Sequence, residues 1–582
     1  MDYETLSQAQ AVCARSRLPE GVSPLCGKTL HLGVFFDGFS RNLEDDLREE
    51  RTSNVGRLFL AHMDPEHDTD FDSYHAIYIS GLGASYDASL GAQVGGTLSR
   101  GRSEMAEIPG DVAGRQAVDA VKDNLSGRSW WQRLKRDLSS LRKKPQNGLK
   151  VFRDMVVNTA AEVVEPIRDS RWAAHLIKSG VDVRLQGALT DLDMTIEQLR
   201  GGPPLRTIKI SVFGFDFGAT LARAFVHNLL EKAEQRGDDY FYKDARVEVI
   251  FAGLFDAVDR TAASMPPLEF FLPTTNSIDD GGLIHPSVKS VLHLVAAHER
   301  RFYRRARLLG ERRRGWSEEL MPGISEDIGG GIAPGEQKPS NELSLVSLHR
   351  MYRAAITSGV SIPSLQELEA RDPETAELFV FNDRTPSQRS AFALVRHYQR
   401  QVGRHSPGHD AFTHHMQFYI RWLANIWHAY QRELAELAGQ LRALENSQGG
   451  TWPRSGIFGV ATESKEIRAA RARQRELEND MSWLKEVNSE AENMRNRLQV
   501  YGARAAGTQQ MLQVWFVLLT EWFEPQSLEP EVAELFAYFV HDQHVLSTAQ
   551  RSARWLSGEN FFSIRGFDRP SGSLPIERRE RA

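Results

Sequence analysis

Only two cysteines, Cys13 and Cys26, occur in 582 residues. They are too few for a disulfide framework or a thiolate zinc site, and so sparse a use of cysteine fits synthesis in a reducing compartment. Long apolar runs are missing as well. Nothing approaches the roughly 18 uninterrupted apolar residues of a membrane-crossing helix. The N-terminal MDYETLSQAQAVCARSR opens acidic and has no apolar centre, so it does not read as a secretory signal. Neither sign of charge dominates: 71 Lys plus Arg stand against 77 Asp plus Glu, a formal net charge of -6. A global basic field that would draw nucleic acid is therefore lacking, and no nucleic-acid partner is expected. Short-period repeats and low-complexity tracts are absent too.

What is present is ordinary globular composition, 41% hydrophobic, 25% charged and 9% aromatic, enough to bury a large core. The length fits two to four domains, or one large α/β domain carrying insertions. Thr29 to Phe36, TLHLGVFF, is a β-branched and aromatic run stopped by Asp37-Gly38, and it reads as a buried strand. Ala76 to Ser80, Thr207 to Phe213 and Arg246 to Phe255 read likewise. Between the last two, Leu221, Ala224, Phe225 and Leu229 follow helical spacing over Gly218 to Glu231. Strand, tight turn, helix and strand make a βαβ unit, so a mostly parallel central sheet flanked by helices is expected.

Two helical blocks interrupt that pattern. Residues 107–200 are polar and helix-prone and read as an insertion; within them Ser126 to Lys150 is locally basic and carries Trp130 and Trp131. Such a block either lies on an anionic membrane surface or is a solvated face with two half-buried tryptophans. His428 to Leu444 and Ser464 to Leu498 are rich in Glu, Arg, Ala and Leu and suggest an antiparallel helical hairpin. The expected organisation is a tail over 1–28, an α/β domain over 29–425, the hairpin over 426–510, and a C-terminal segment over 511–582 that packs back on the α/β domain.

The chemistry concentrates at Ile210 to Phe225, ISVFGFDFGATLARAF, where a strand turns into a helix through Gly214-Phe215-Asp216-Phe217-Gly218. This is the G-x-S-x-G layout of a nucleophile elbow, whose glycines relieve collisions at a sharp turn and whose central side chain stands over a helix N-terminus. The central residue here is Asp216, not serine. Phe251 to Asp256 reads as a strand ending in a carboxylate, where a hydrolase of this order keeps the acid that orients its histidine. Met321 to Ile332, MPGISEDIGGGI, is a loop with three successive glycines.

Several ordered blocks, VFFDG (34–38), SNVGRLF (53–59), YISGLG (78–83), VFGFDFGATLARAF, GLFDAV (253–258), HLVAAHERR (293–301), PGISEDIGGG (322–331), LSLVSLHRMYRAA (343–355) and FVHDQH (539–544) followed by SIRGF, resemble the Tle lipase-effector family of type VI secretion. That resemblance implies an α/β-hydrolase-like catalytic domain with large helical insertions, no cofactor and no metal. It also implies bacterial cytoplasmic origin and delivery into a target cell. The implied partners are a secretion component, an immunity or adaptor protein, and a phospholipid or membrane surface. Against the family's G-F-S-R-G and P-G-x-H-S-D-x-G-G-G, the nucleophile falls on Asp216 and the histidine on Ser325, while the acid is kept at Asp256. The elbow and oxyanion positions fall on Gly214, Phe217 and Gly218, and on Gly38 and Phe39 of an early loop, Asp37 to Asn42, that has also drifted.

Serine hydrolysis needs a hydroxyl and a base within hydrogen-bond reach, and neither stands at its expected place. The leading expectation is a non-catalytic binding or effector-associated protein. The alternative is a phospholipase or esterase with Asp216 as nucleophile, or with a histidine displaced from His285, His293, His298, His349 or His541. Asp216 and Asp256 sharing a proton, or holding a cation near Asp37, is a further alternative. The plainest reading has Asp216 accepting hydrogen bonds from the helix N-terminus.

Overall fold

The computed structural model describes residues 27–81, 170–258, 283–301, 304–310, 313–403, 406–448, 465–501, 509–542 and 560–568. The Trp130-Trp131 block and the insertion before residue 170 lie outside them. The chain divides into two units. One takes the chain up to Pro407 together with Ala537–His541 and the stretch from Arg565; the other takes Gly408–Phe536 and Asp542–Ile564.

In the first unit the strands are β1 (Lys28–Phe36), β2 (Asp72–Ile79), β3 (Leu205–Phe215), β4 (Glu234–Arg236), β5 (Asp239–Tyr242), β6 (Ala245–Phe255), β7 (Ser290–Ala296), β8 (Ala306–Arg307), β9 (Trp316–Met321) and β10 (Phe567–Asp568). β2, β1, β3, β6, β7 and β9 lie side by side in that order and all parallel. β5 and β4 add antiparallel ribbons along the first half of β6. Continuous apolar runs such as Val34 to Phe36 and Phe251 to Phe255 are buried because helices cover both faces of a parallel sheet. The four expected strands are all present, each with its ends moved by up to four residues, as hydrogen bonding rather than hydrophobicity sets strand ends.

From β1 the chain goes to β2 on one side and then to β3 on the other. The strand order therefore reverses between β1 and β3, and in open α/β sheets ligands bind beyond the carboxyl ends at such a reversal. Phe36 pairs with Gly214, and Gly214 with Leu254, so Asp37, Asp216 and Asp256 follow the ends of three adjacent strands.

In the second unit, helix His409–Gln448 runs against Lys465–Asp480 and packs on Gln509–Phe523. The second arm, expected as one helix, breaks at Met481 and resumes as Ser482–Tyr501. Trp422 stacks on Phe536 at 5.6 Å, and Arg421 grips Glu521 through two hydrogen bonds of 2.7 and 2.8 Å.

Candidate functional site

β3 feeds directly into helix Phe217–Lys232, and Asp216 between them has φ 53 and ψ -123. A non-glycine residue there costs about 1–3 kcal/mol and needs its surroundings to hold it. They do so through the backbone: the Asp216 N–H donates to Phe255 C=O at 3.0 Å, and its carbonyl accepts from Ala219 and Val258. The two flanking glycines have no room for a side chain. A Cβ on Gly214 would stand 2.4 Å from Ala219 Cα, and one on Gly218 would stand 2.3 Å from the Asp37 carbonyl oxygen. One reading is corrected here, for the Asp216 side chain makes no capping bond to the helix that follows.

Asp256 is fully buried and, among the described residues, is not bonded to a histidine. Its Oδ1 accepts from the Ala296 N–H at 2.8 Å and from Arg565 Nη1 at 2.5 Å, while its Oδ2 accepts from Arg565 Nη2 at 2.9 Å. Arg565 in turn donates to the carbonyls of Ala296 and Arg304. Ser325 begins the short helix Ser325–Gly329. Its N–H donates to Glu299 Oε2 at 3.1 Å, and its buried hydroxyl finds no hydrogen-bond partner among the described residues.

Around these positions runs an ion network. The Arg301 guanidinium bridges Glu299 and Glu326 with two bonds to each, and Arg304 donates to Glu326 Oε1 at 2.8 Å. Burial alone would push both carboxyls up, but Arg301 and Arg304 outweigh it and hold them below the usual range. Burial and Arg301 act to lower the Arg304 pKa; Glu326, Asp216 and Glu299 overcome them and raise it. Asp216 thus sits in the field of a guanidinium.

In the early loop, Asp37 accepts from Ser53 Oγ and Tyr78 Oη, both at 2.6 Å, and from the Gly38 N–H at 2.7 Å. Burial raises its carboxyl despite these bonds. The ring of Phe215 fills the space beside both Gly38 and Gly329. Phe39 packs partly buried against the core, and Phe217 is buried within it. The three carboxylates do not converge on a cation: among the described residues, no trio of Asp37, Asp216 and Asp256 brings its oxygens within 4.8 Å of one another.

The five candidate histidines are occupied by structural bonds. His285 Nδ1 meets Ser287 Oγ, and His349 Nε2 meets the Phe379 carbonyl. His293 Nε2 accepts from the Ala257 N–H at 3.0 Å and its Nδ1 meets Glu318 at 2.7 Å; burial lowers its pKa, in keeping with the neutral ring this pattern requires. His298 Nδ1 accepts from the Gly323 N–H. His541 lies against Asp327 at 2.6 Å, with its other nitrogen on the Glu336 carbonyl. Burial would lower this histidine's pKa, but Asp327 outweighs it and the pKa rises.

Sequence reasoning missed Glu299, Arg301, Arg304 and Arg565 as members of the site. The first two lay in plain view in HLVAAHERR, a charged run closing a buried strand, and Arg565 lay in SIRGF.

Residues 226–354 match the family model described as the type VI secretion phospholipase effector Tle1-like catalytic domain. The match starts beyond Asp216 and takes in Asp256 and Ser325. No curated protein matches the chain. Among solved structures, an uncharacterized protein from Pseudomonas aeruginosa is similar at 15% identity and a TM-score of 0.50, covering 92% of this chain and 80% of that one. The Tle1 effector bound to the VgrG spike of the type 6 secretion system aligns at 19% identity over 54% of this chain and 53% of that one, with a TM-score of 0.26. Residues 226–354 are thus the part of the chain that is similar to the catalytic domain of Tle-type phospholipase effectors of type VI secretion.

Proposed function

We propose that the chain is an α/β-hydrolase-type effector scaffold that has exchanged serine-hydrolase chemistry for a buried ion network, and that it acts by binding. The observation that carries this reading is the Arg565–Asp256 pair. A guanidinium has five donors and no acceptor, so it cannot serve as the base that a nucleophile or an attacking water requires. Asp256, Ser325 and Asp216 are then positions of a scaffold rather than members of a relay. The relation to type VI effectors supports a secretion component, an immunity protein or an adaptor as partner, and a phospholipid headgroup or membrane surface as ligand. It also supports delivery to a target cell.

A second reading keeps an enzyme, with Asp216 as nucleophile, because the positive φ of Asp216 is the conformation that presents a nucleophile at an elbow. The two readings separate in one assay. Fatty-acid release from mixed phospholipid vesicles is measured for the parent protein, Asp216→Ala, and Asp216→Ser combined with Ser325→His. No release is expected from the first two. The double variant is expected to stay silent as well while Arg565 holds Asp256. Release by the parent that vanishes in Asp216→Ala would sink the binding role and make Asp216 a catalyst.

A further inference from the structure

At the opposite end of β1 from the elbow lies a different constellation. His31 Nε2 meets Asp72 Oδ1 at 2.8 Å, and His31 Nδ1 meets Ser361 Oγ at 3.0 Å. An ionised carboxylate only accepts, so in the neutral ring Nε2 carries the proton, Nδ1 is the acceptor, and the Ser361 hydroxyl donates to it. This is a hydroxyl, a base, and an acid that orients the base, with the two ring nitrogens exchanged relative to the usual serine hydrolase. The His31 hydrogen bond also lowers the Asp72 pKa, so the orienting group stays anionic.

The three residues stand on firm supports. His31 is in the middle of a sheet, paired on both sides, with its ring stacked on Tyr74 at 5.1 Å. Asp72 opens β2, its N–H and carbonyl both bonded to Thr69. Ser361 is the centre of a three-residue turn closed by the Ile362 N–H on the Val360 carbonyl, and its own carbonyl accepts from the Met63 N–H at 2.9 Å. Unlike the elbow, the place is open to solvent: the side chain of Asp72 is 40% exposed and that of His31 14%. Six residue steps along the strand take His31 to Asp37, roughly 20 Å, so the two sites are distinct.

We infer that Ser361, His31 and Asp72 form a second site, one for small carboxylic esters. Ser361 Oγ attacks the acyl carbon while His31 Nδ1 takes the hydroxyl proton, and Asp72 faces the imidazolium that results. Collapse breaks the ester C–O bond, and His31 returns the proton to the departing alcohol. Water then repeats the sequence on the acyl-serine, so that ester plus water gives acid plus alcohol. Ser361 and His31 are the catalytic residues, and Asp72 is a positioning residue.

The test is covalent labelling of the full chain by a fluorophosphonate, with the modified residue located by peptide mass spectrometry and p-nitrophenyl acetate hydrolysis followed in parallel. The label is expected on Ser361, and Ser361→Ala should lose both label and turnover. His31→Gln should slow labelling by at least about 100-fold and remove the ascending limb of its pH–rate profile. Asp72→Asn should slow it while leaving Ser361 as the residue labelled. Labelling of the parent needs no variant to fold, so absence of label on Ser361 overturns the site outright. Labelling unchanged in a natively folded His31→Gln does the same, because the serine would then react without its base. Neither result bears on the elbow, which the fatty-acid assay tests separately.

Discussion

Arg565 decides what Asp256 can do. A carboxylate that orients a histidine must leave room for an imidazole, whereas this one accepts two bonds from a guanidinium that is 1% exposed. Removing one partner of such a pair strands a buried charge at a cost of about 3–5 kcal/mol. Arg565→Met is therefore expected to lose stability on that scale in urea unfolding, and Asp256→Asn combined with Arg565→Met to recover a large part of it. A double variant no more stable than Arg565→Met would show that the guanidinium's other bonds matter more than the ion pair. At this scale the sequence exposed Asp216 and Asp256, because glycine spacing and strand ends are local signals. It hid the partner, because nothing local ties Arg565 to a carboxylate 309 positions earlier.

Elements were legible where burial made them so. β1, β3 and β6 are apolar runs buried on both faces, and helix Phe217–Lys232 showed its period plainly. The break at Met481 did not show, since the sequence stays helix-prone across it. Nor did the His31 site, whose members come from two strands and a loop that only the fold brings together. Two glycines in helices make opposite predictions about packing. At Gly218 a methyl would collide with the Phe36 and Asp37 carbonyls at 2.4 and 2.3 Å, so Gly218→Ala must shift the strand-to-helix junction. A loss of about 1–3 kcal/mol is expected. Gly439, in helix His409–Gln448, has nothing within 4 Å of its added Cβ. There alanine should gain about 0.8–1 kcal/mol from helix propensity alone. Urea unfolding of the two variants checks both signs.

For the molecule as a whole, a buried carboxyl and a buried histidine set opposing responses to pH. Burial raises Asp46 to about 7, against the pull of Arg41, so the folded state keeps a proton that the unfolded chain has released. That contribution is present at low pH and is lost as pH rises from about 4 to 7. Burial lowers His62 to about 4, and its contribution is present above the unfolded value near 6.5 and lost as pH falls towards 4. The two cancel over one window. Asp46→Asn should unmask the histidine, so that stability of the variant relative to the parent rises with pH between about 4 and 6.5 by on the order of 1 kcal/mol per unit. A urea-midpoint series for both proteins reads it, and parallel curves would remove Asp46 from the account.

The same Arg565–Asp256 pair sets a clock on synthesis. Its arginine is made 309 residues after its aspartate. At about 5–20 residues per second, roughly 15–60 s pass between them. Through that interval the nascent first unit has β6 but neither the counter-ion for its terminal carboxylate nor the β10 strand that pairs with β8. The whole second unit is translated meanwhile. A chain that stops anywhere inside the second unit therefore keeps Asp256 but lacks the guanidinium that it pairs with in the full chain.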